Sequence, residues 1–184
     1  PSDLPKYRGA TPLQTMILNN ERSAKLSLIK MDEKMDHGII ISQKDFSIGD
    51  NETTLDLKIK TAKLASSMLN DIFLFIDGKI HGQQQNKKNC TSTQKINKQF
   101  CQLKLKNEIK DNYNKIKACY PNPKAYLIID SNHYIIHKAI FIKNKIKIEK
   151  FQREGRNIIN FNDFVNGEKN TEVLDKMRLY GILI

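Results

Sequence analysis

Apolar positions recur at helical spacing from Leu13 through Met16, Ile17, Ala24, Leu28, Met31 and Met35. With Thr11 ahead of Pro12 as a start signal, they predict an N-terminal helix over about 12–35, interrupted near Asn19–Asn20 and ended by His37–Gly38. The arm before it, 1–12, reads as irregular. "GIIIS" then reads as a short buried strand, and "DFSIGDNETTLDLKIK" as a hairpin arm, a turn and a returning arm. On that returning arm Leu55, Leu57 and Ile59 alternate with Asp56, Lys58 and Lys60, so the charged set shares one face. "TAKLASSMLND" suits a helix of about ten residues. "IFLFID" is a continuous apolar run of the kind a central strand carries.

Farther along, "HGQQQNKKNCTSTQK" is polar and of low complexity, and 83–95 is expected to be a mobile loop. Ile96, Phe100, Leu103, Ile109, Tyr113, Ile116 and Tyr120 keep a helical period, predicting a long basic helix over 93–119 stopped by "YPNP". "AYLIID", "YIIHKAIFI" and "KIKIEKF" read as a three-strand meander. Thr171 caps a last helix, "EVLDKMRLY", ended by Gly181. The class is therefore α/β or α+β: a mixed sheet with an N-terminal helix, a long central basic helix, a β meander and a C-terminal helix. A chain of 184 residues points to a single domain, 1–184.

Charge changes this picture more than composition does. The formal net charge is +11, and the stretch from Asn86 to Lys150 holds fifteen lysines against four acids. The flanking segments are balanced. Segregated charge of this kind fits a polyanionic partner, DNA or RNA. Lys87, Lys88, Lys95, Lys98, Lys106, Lys110, Lys117, Lys145 and Lys147 are the candidate phosphate contacts. The segment has no arginine, so binding is expected to be salt-sensitive and weakly sequence-specific. Tyr113, Tyr120, Tyr126 and Tyr134 are candidates for base stacking, although their spacing favours core packing.

No apolar run is long enough for a membrane span, and "PSDLPKYRGA" shows no secretory signal. The start at Pro1 rather than Met admits a processed product or an excised domain. Cys90, Cys101 and Cys119 fit neither a zinc ribbon nor a disulfide framework; they are expected to be free thiols in a reducing, intracellular compartment. The sequons at Asn51 and Asn89 would matter only in a secreted protein. No Walker loop, G-x-G-x-x-G or G-x-S-x-G motif is present. His133 and His137 lie about 13 Å apart along a strand, too far to share a metal. His81 is a candidate general acid or base of a metal-independent ribonuclease with His133 or His137 as partner, a pairing that nothing local in the sequence supports.

Chemistry comes down to "GDNETTLDLKIK", Gly49 to Lys60. Asp56 and Lys58, at i and i+2 on a strand, project about 7 Å apart from one face. An acid on the turn before them, Asp50 with Asp45 or Glu52 as substitutes, would bring two carboxylates and a lysine together. Paired carboxylates are natural Mg²⁺ ligands, and the ion would activate a water against a phosphodiester. The same charges also fit an exposed strand face whose Asp–Lys pair contributes under about 1 kcal/mol.

The α-β-β-β-α-β order over 11–77, with "LDLK" on the third strand, resembles the PD-(D/E)XK nuclease superfamily. That resemblance implies Asp50 and Asp56 as catalytic acids and metal ligands, Lys58 as the catalytic lysine, Glu21 as an assisting acid, and Mg²⁺ as cofactor. Without nuclease activity no cofactor is expected. The function expected is thus a nucleic-acid-binding protein with Mg²⁺-dependent phosphodiester cleavage. The alternatives are a non-catalytic module binding nucleic acid or an acidic protein, and a secreted toxin or surface protein.

Overall fold

A computed structural model describes residues 1–184, and the chain divides into two compact units, Pro1–Lys95 and Ile96–Ile184. Length alone pointed to one. The class is mixed α/β, with parallel and antiparallel pairings, as the hydrophobic pattern predicted.

In the first unit, β1 (Arg8–Gly9) precedes α1 (Pro12–Leu18), followed by the antiparallel pair β2 (Ser23–Lys30) and β3 (Ile39–Ser47). The expected helix over 12–35 is therefore only a quarter to a third helical. Asn20 turns the chain at φ 56°, and beyond it Ala24 and Leu26 alternate inward with Lys25 outward, a strand period that the longer helical pattern had masked. α2 (Thr54–Ser66) and α3 (Leu69–Ile76) follow, and β4 (Ser92–Thr93) closes the unit by pairing in parallel with β1.

Two strand expectations are corrected here. "TLDLKIK" is the first half of α2, because Thr53 and Asp56 form a reciprocal capping box. The Asp56 carboxylate accepts from the Thr53 amide at 2.8 Å, and the Thr53 hydroxyl accepts from the Asp56 amide. This satisfies amides that a helix start leaves unpaired. "LNDIFLFI" is α3; a short apolar run does not by itself distinguish strand from helix. Leu13, Met16, Ile17, Ala24, Leu26, Phe46, Ile48, Leu57 and Met68 form the buried apolar set of this unit.

The second unit is a four-stranded antiparallel sheet in the order β5 (Ala125–Ile129), β6 (Asn132–Ile142), β7 (Lys145–Arg153), β8 (Ile159–Asn160). The meander and the terminal helix were legible in the sequence. α4 (Ile109–Cys119) packs on β5, β6 and β7, α5 (Phe161–Gly167) on β7 and β8, and α6 (Thr171–Leu179) on β5. The basic helix is thus far shorter than 93–119. Ahead of it Gln102 pairs with Tyr126, and the Leu103 amide donates to the Tyr126 carbonyl at 2.8 Å, so this segment is extended along the sheet edge.

Gly181 at φ +78° ends α6, and an added Cβ there would stand 2.6 Å from Ile109 Cδ1. The core holds Tyr113, Tyr134, Phe151, Phe161, Leu127, Ile136 and Ile146, so the buried tyrosines pack rather than stack on bases. Cys101 and Cys119 are joined in a disulfide within this core, which corrects the expectation of three free thiols; only Cys90 is free. No helix is long and apolar enough to cross a membrane.

Candidate active site

The acids in "GDNETTLDLKIK" are all engaged by neighbouring protein groups. Exposed Asp50 is ion-paired with Arg22. Glu52 accepts the Gly49 amide at 2.7 Å and pairs with Lys60, which in turn donates to the Ser47 carbonyl at 2.9 Å. Asp56 caps α2, and Lys58 is exposed two residues farther round the helix. On a helix i and i+2 do not share a face. The geometric basis for a shared metal between Asp50 and Asp56 is gone, and no three of His, Cys, Asp or Glu cluster to hold a metal ion. Glu21 accepts a hydrogen bond from the Tyr7 hydroxyl. Burial, reinforced by that bond, raises the Tyr7 phenol above its ordinary value.

The lysines separate by burial. Lys87, Lys88 and Lys95 are exposed in the first unit; Lys98, Lys106, Lys145 and Lys147 are exposed in the second. Lys98 pairs with Glu154 at 3.6 Å. Lys110 lies over the Phe141 ring at 4.8 Å. Lys117 is 4% exposed and lies over Tyr113 at 5.1 Å, so it is unavailable to a polyanion. It lies on a stretch of α4 whose residues 112–119 are buried throughout.

The structure gathers a different set of polar groups around Arg8 and Asp36. Between β2 and β3 the chain crosses a charged loop in which Asp36 takes a left-handed φ of 58°, a conformation that aspartate tolerates better than most residues. Gly38 follows because the loop returns against β2: a Cβ there would lie 1.9 Å from the Lys30 carbonyl oxygen. The Gly9 amide donates to Asp36 Oδ2 at 2.7 Å. Buried Gln85 ties the loop down through its amide, which donates to the carbonyls of Asp36 at 2.9 Å and Gly38 at 2.7 Å. Gln85 Oε1 accepts from Arg8 Nη2 at 2.6 Å, and Arg8 Nη1 lies 2.8 Å from His37 Nε2.

Residues 83–95 take part in this frame. Gln83 pairs with Ile40, Gln85 bridges Arg8 and the Asp36 loop, and Ser92–Thr93 pair with Arg8–Gly9. Tyr7 is anchored through its amide to Thr91 Oγ1 at 2.8 Å.

Three clefts meet at this cluster. One of about 240 Å³ has Gly9, Gln14, Asp36 and Lys58 on its walls. A second, of about 410 Å³, is lined by Arg8, Gly9, Met35, His37 and Cys90. The third, of about 530 Å³, takes in Arg8, Asp32, His37, Gln85 and Lys87. A carboxylate on a fixed loop, with a guanidinium and an imidazole beside it, can accept a proton on one side and steady negative charge on the other. Sequence reasoning missed Asp36 and His37 because it spent them on a helix end. The available signal was the polar run "DEKMDHG" between two alternating apolar segments.

Residues 1–72 match the family described as formyl transferase. The methionyl-tRNA formyltransferase of Lactobacillus gasseri is 30% identical over 190 residues, an alignment covering 90% of this chain and 60% of the relative. The chain spans less than two thirds of the length of such curated relatives. The solved methionyl-tRNA formyltransferase from Clostridium thermocellum superposes with a TM-score of 0.64 at 21% identity, covering 86% of this chain and 66% of that one. WlaRD, a sugar 3N-formyl transferase solved in the presence of dTDP and 5-N-formyl-THF, gives 0.63 at 25% identity, with 85% and 64% covered. These likenesses overturn the resemblance to PD-(D/E)XK nucleases, and with it the reading as a magnesium-dependent hydrolase. The alternative of a secreted toxin gives way with it. The chain is similar along most of its length to enzymes that transfer formyl groups.

Proposed function

We propose that this chain supplies the transfer site of a formyltransferase, which moves a formyl group from a folate-class donor to a primary amine. The observation that carries the reading is the Asp36 carboxylate, fixed by the Gly9 amide where the clefts meet. The formyl-transferase family match spans the same residues, 1–72.

In such a transfer the amine nitrogen attacks the formyl carbon and a C–N bond forms. The carbonyl oxygen becomes an oxyanion, and the C–N bond to the donor then breaks. Asp36 takes the proton that the amine must lose and returns it to the departing nitrogen. Arg8 and His37 present cationic and N–H groups to the developing negative charge. The donor is a substrate in this reading, and no metal enters it.

An RNA-linked amine is the acceptor that the second unit favours. Exposed Lys98, Lys106, Lys145 and Lys147 give it phosphate contacts, and the similarity to methionyl-tRNA formyltransferases supports RNA rather than DNA. An intracellular setting goes with that acceptor.

The test is transfer from a formylated folate to methionyl-RNA, with a nucleotide-linked amino sugar in parallel, followed by mass spectrometry of the acceptor. Formylation of the RNA-linked amine, lost in Asp36→Asn, supports the reading. Transfer to the sugar alone would move the acceptor class, and equal transfer by wild type and Asp36→Asn would remove Asp36 from the mechanism.

A further inference from the structure

The unit Ile96–Ile184 has a cavity of its own, about 330 Å³, at the end of β7 and against α5. Its floor is aromatic. The Phe151 and Phe164 rings lie 4.7 Å apart and are backed by Phe161 and Tyr134. Phe151 is fully buried, whereas Phe164 is half-buried and Ile159 is exposed, so apolar surface remains for a ligand.

One wall is cationic. Arg153 and Arg156 flank a turn in which Gly155 takes φ +75° and the Arg156 amide donates to the Arg153 carbonyl at 2.9 Å. The intervening Glu154 is engaged elsewhere, by Lys98 at 3.6 Å and His133 at 3.3 Å. Neither guanidinium is ion-paired. Arg153 is oriented by donating to Asn132 Oδ1 at 2.7 Å. The lining also includes two acceptors, Asp163 and Glu168. Asp163 accepts from the Asn160 amide side chain at 3.0 Å, and Glu168 from the Asn170 backbone amide at 3.0 Å; each uses one oxygen and leaves the other.

We infer that this cavity binds one nucleotide unit. A planar ring covers Phe164 and Ile159, a phosphate takes the two guanidinium forks, and ribose hydroxyls or an exocyclic amine donate to Asp163 and Glu168. A bare phosphate would leave the aromatic floor uncovered. An apolar ligand would bury two unpaired arginines. The volume lies at the lower end of the range for small-molecule sites. The inference does not depend on formyl transfer, and its readout is binding alone.

The experiment is calorimetric titration of the whole chain with AMP and UMP, with adenosine and inorganic phosphate as partial probes. A short single-stranded oligoribonucleotide provides a further arm. The variants are Arg156→Gln and Gly167→Leu, with Lys63→Gln, at an exposed lysine of the first unit, as a control. Gly167 lines the cavity, and an added Cβ there meets nothing within 4 Å, so a leucine is sterically tolerated at its Cβ and is the variant chosen to narrow the space. A mononucleotide should bind about tenfold or more tighter than either partial probe, weaken about tenfold in Arg156→Gln, and cease to bind in Gly167→Leu. If both variants also weaken the oligonucleotide, the unit recognised is the end of an RNA strand; if they leave it unchanged, it is a free nucleotide. Absence of saturable nucleotide binding, or the same affinity in wild type and both variants, overturns the proposal.

Discussion

The Gly9 amide donates to the Asp36 carboxylate at 2.7 Å, across 27 residues of sequence. Asparagine in place of Asp36 keeps an acceptor for that amide but cannot take a proton. Asp36→Asn should therefore fold normally and lose about 10²- to 10⁴-fold in turnover, with donor binding little changed. Gly9→Ala should behave differently. Gly9 sits at φ +108°, and a Cβ would press on Thr93 Oγ1 at 3.0 Å and the Thr93 carbonyl at 3.2 Å. It should lower thermal stability and activity together. Wild-type turnover in Asp36→Asn would exclude the carboxylate as the base.

The capping box carries a separate prediction for Thr53 and Asp56. Thr53→Ala removes the side chain that accepts the Asp56 amide and should cost about 1 kcal/mol in denaturant unfolding. Asp56→Ala should cost a similar amount and leave the proposed transfer activity of the folded protein unchanged. If Asp56→Ala instead abolished activity at unchanged stability, the helix-capping account of that carboxylate would fail.

How much of this could be read from the sequence follows from which signals are local. The strands β5 and β6, as apolar runs between turns, and β7, by its alternation, were legible, as was α6, although its N-cap is Asn170 and not Thr171. "TTLDLKIK" satisfies two periods at once. Its alternation of apolar and charged residues reads as a strand, while Thr53-x-x-Asp56 reads as a capping box, and the box prevailed because it pairs backbone amides. The Arg8, Asp36 and Gln85 cluster is invisible to any local window, since its members meet only after β2 and β3 pair and 83–95 returns to the N-terminal arm. The lysine excess was read correctly as charge, but not residue by residue: burial of Lys117 depends on how α4 lies on the sheet.

Asp3 gives a pH signature. Burial, only partly offset by Lys6 and Lys25, raises its carboxyl above 3.8. A folded value above the unfolded one means that the stabilising contribution is complete at low pH and is lost as pH rises through the folded value. At neutral pH the ionised group therefore opposes folding. Asp3→Asn should melt higher than wild type at neutral pH, and the difference should shrink as pH falls towards 3.8 and below. A variant less stable than wild type at neutral pH would contradict the sign.

Thiol chemistry tests the second unit. Ellman titration of the native protein should find one thiol, Cys90, and three after reduction, because Cys101 and Cys119 are paired within the core. The bridge closes a separation of 18 residues, and a loop of that size corresponds to about 3 kcal/mol in the chain-entropy account. Reduction should therefore lower the denaturation midpoint measurably. Three thiols in native protein prepared without reductant would remove the bridge.

An RNA-linked acceptor, as proposed, would meet only the exposed lysines of the second unit. Lys145 and Lys147 are exposed on β7, where Ile146 and Ile148 point inward to the core, so substitution there changes charge without touching packing. Removing one lysine from a phosphate should lower the slope of log affinity against log salt by about 0.7 for a single strand. Lys145→Gln with Lys147→Gln should thus flatten the salt dependence by about 1.4 and weaken binding alike for unrelated sequences. Lys117→Met removes a buried charge lying over Tyr113, and its effect should appear in the melting curve with the salt slope untouched. The contrast separates a surface read by phosphate from a helix held by packing. If Lys117→Met flattened the slope while the β7 pair did not, the RNA would have to approach α4 instead.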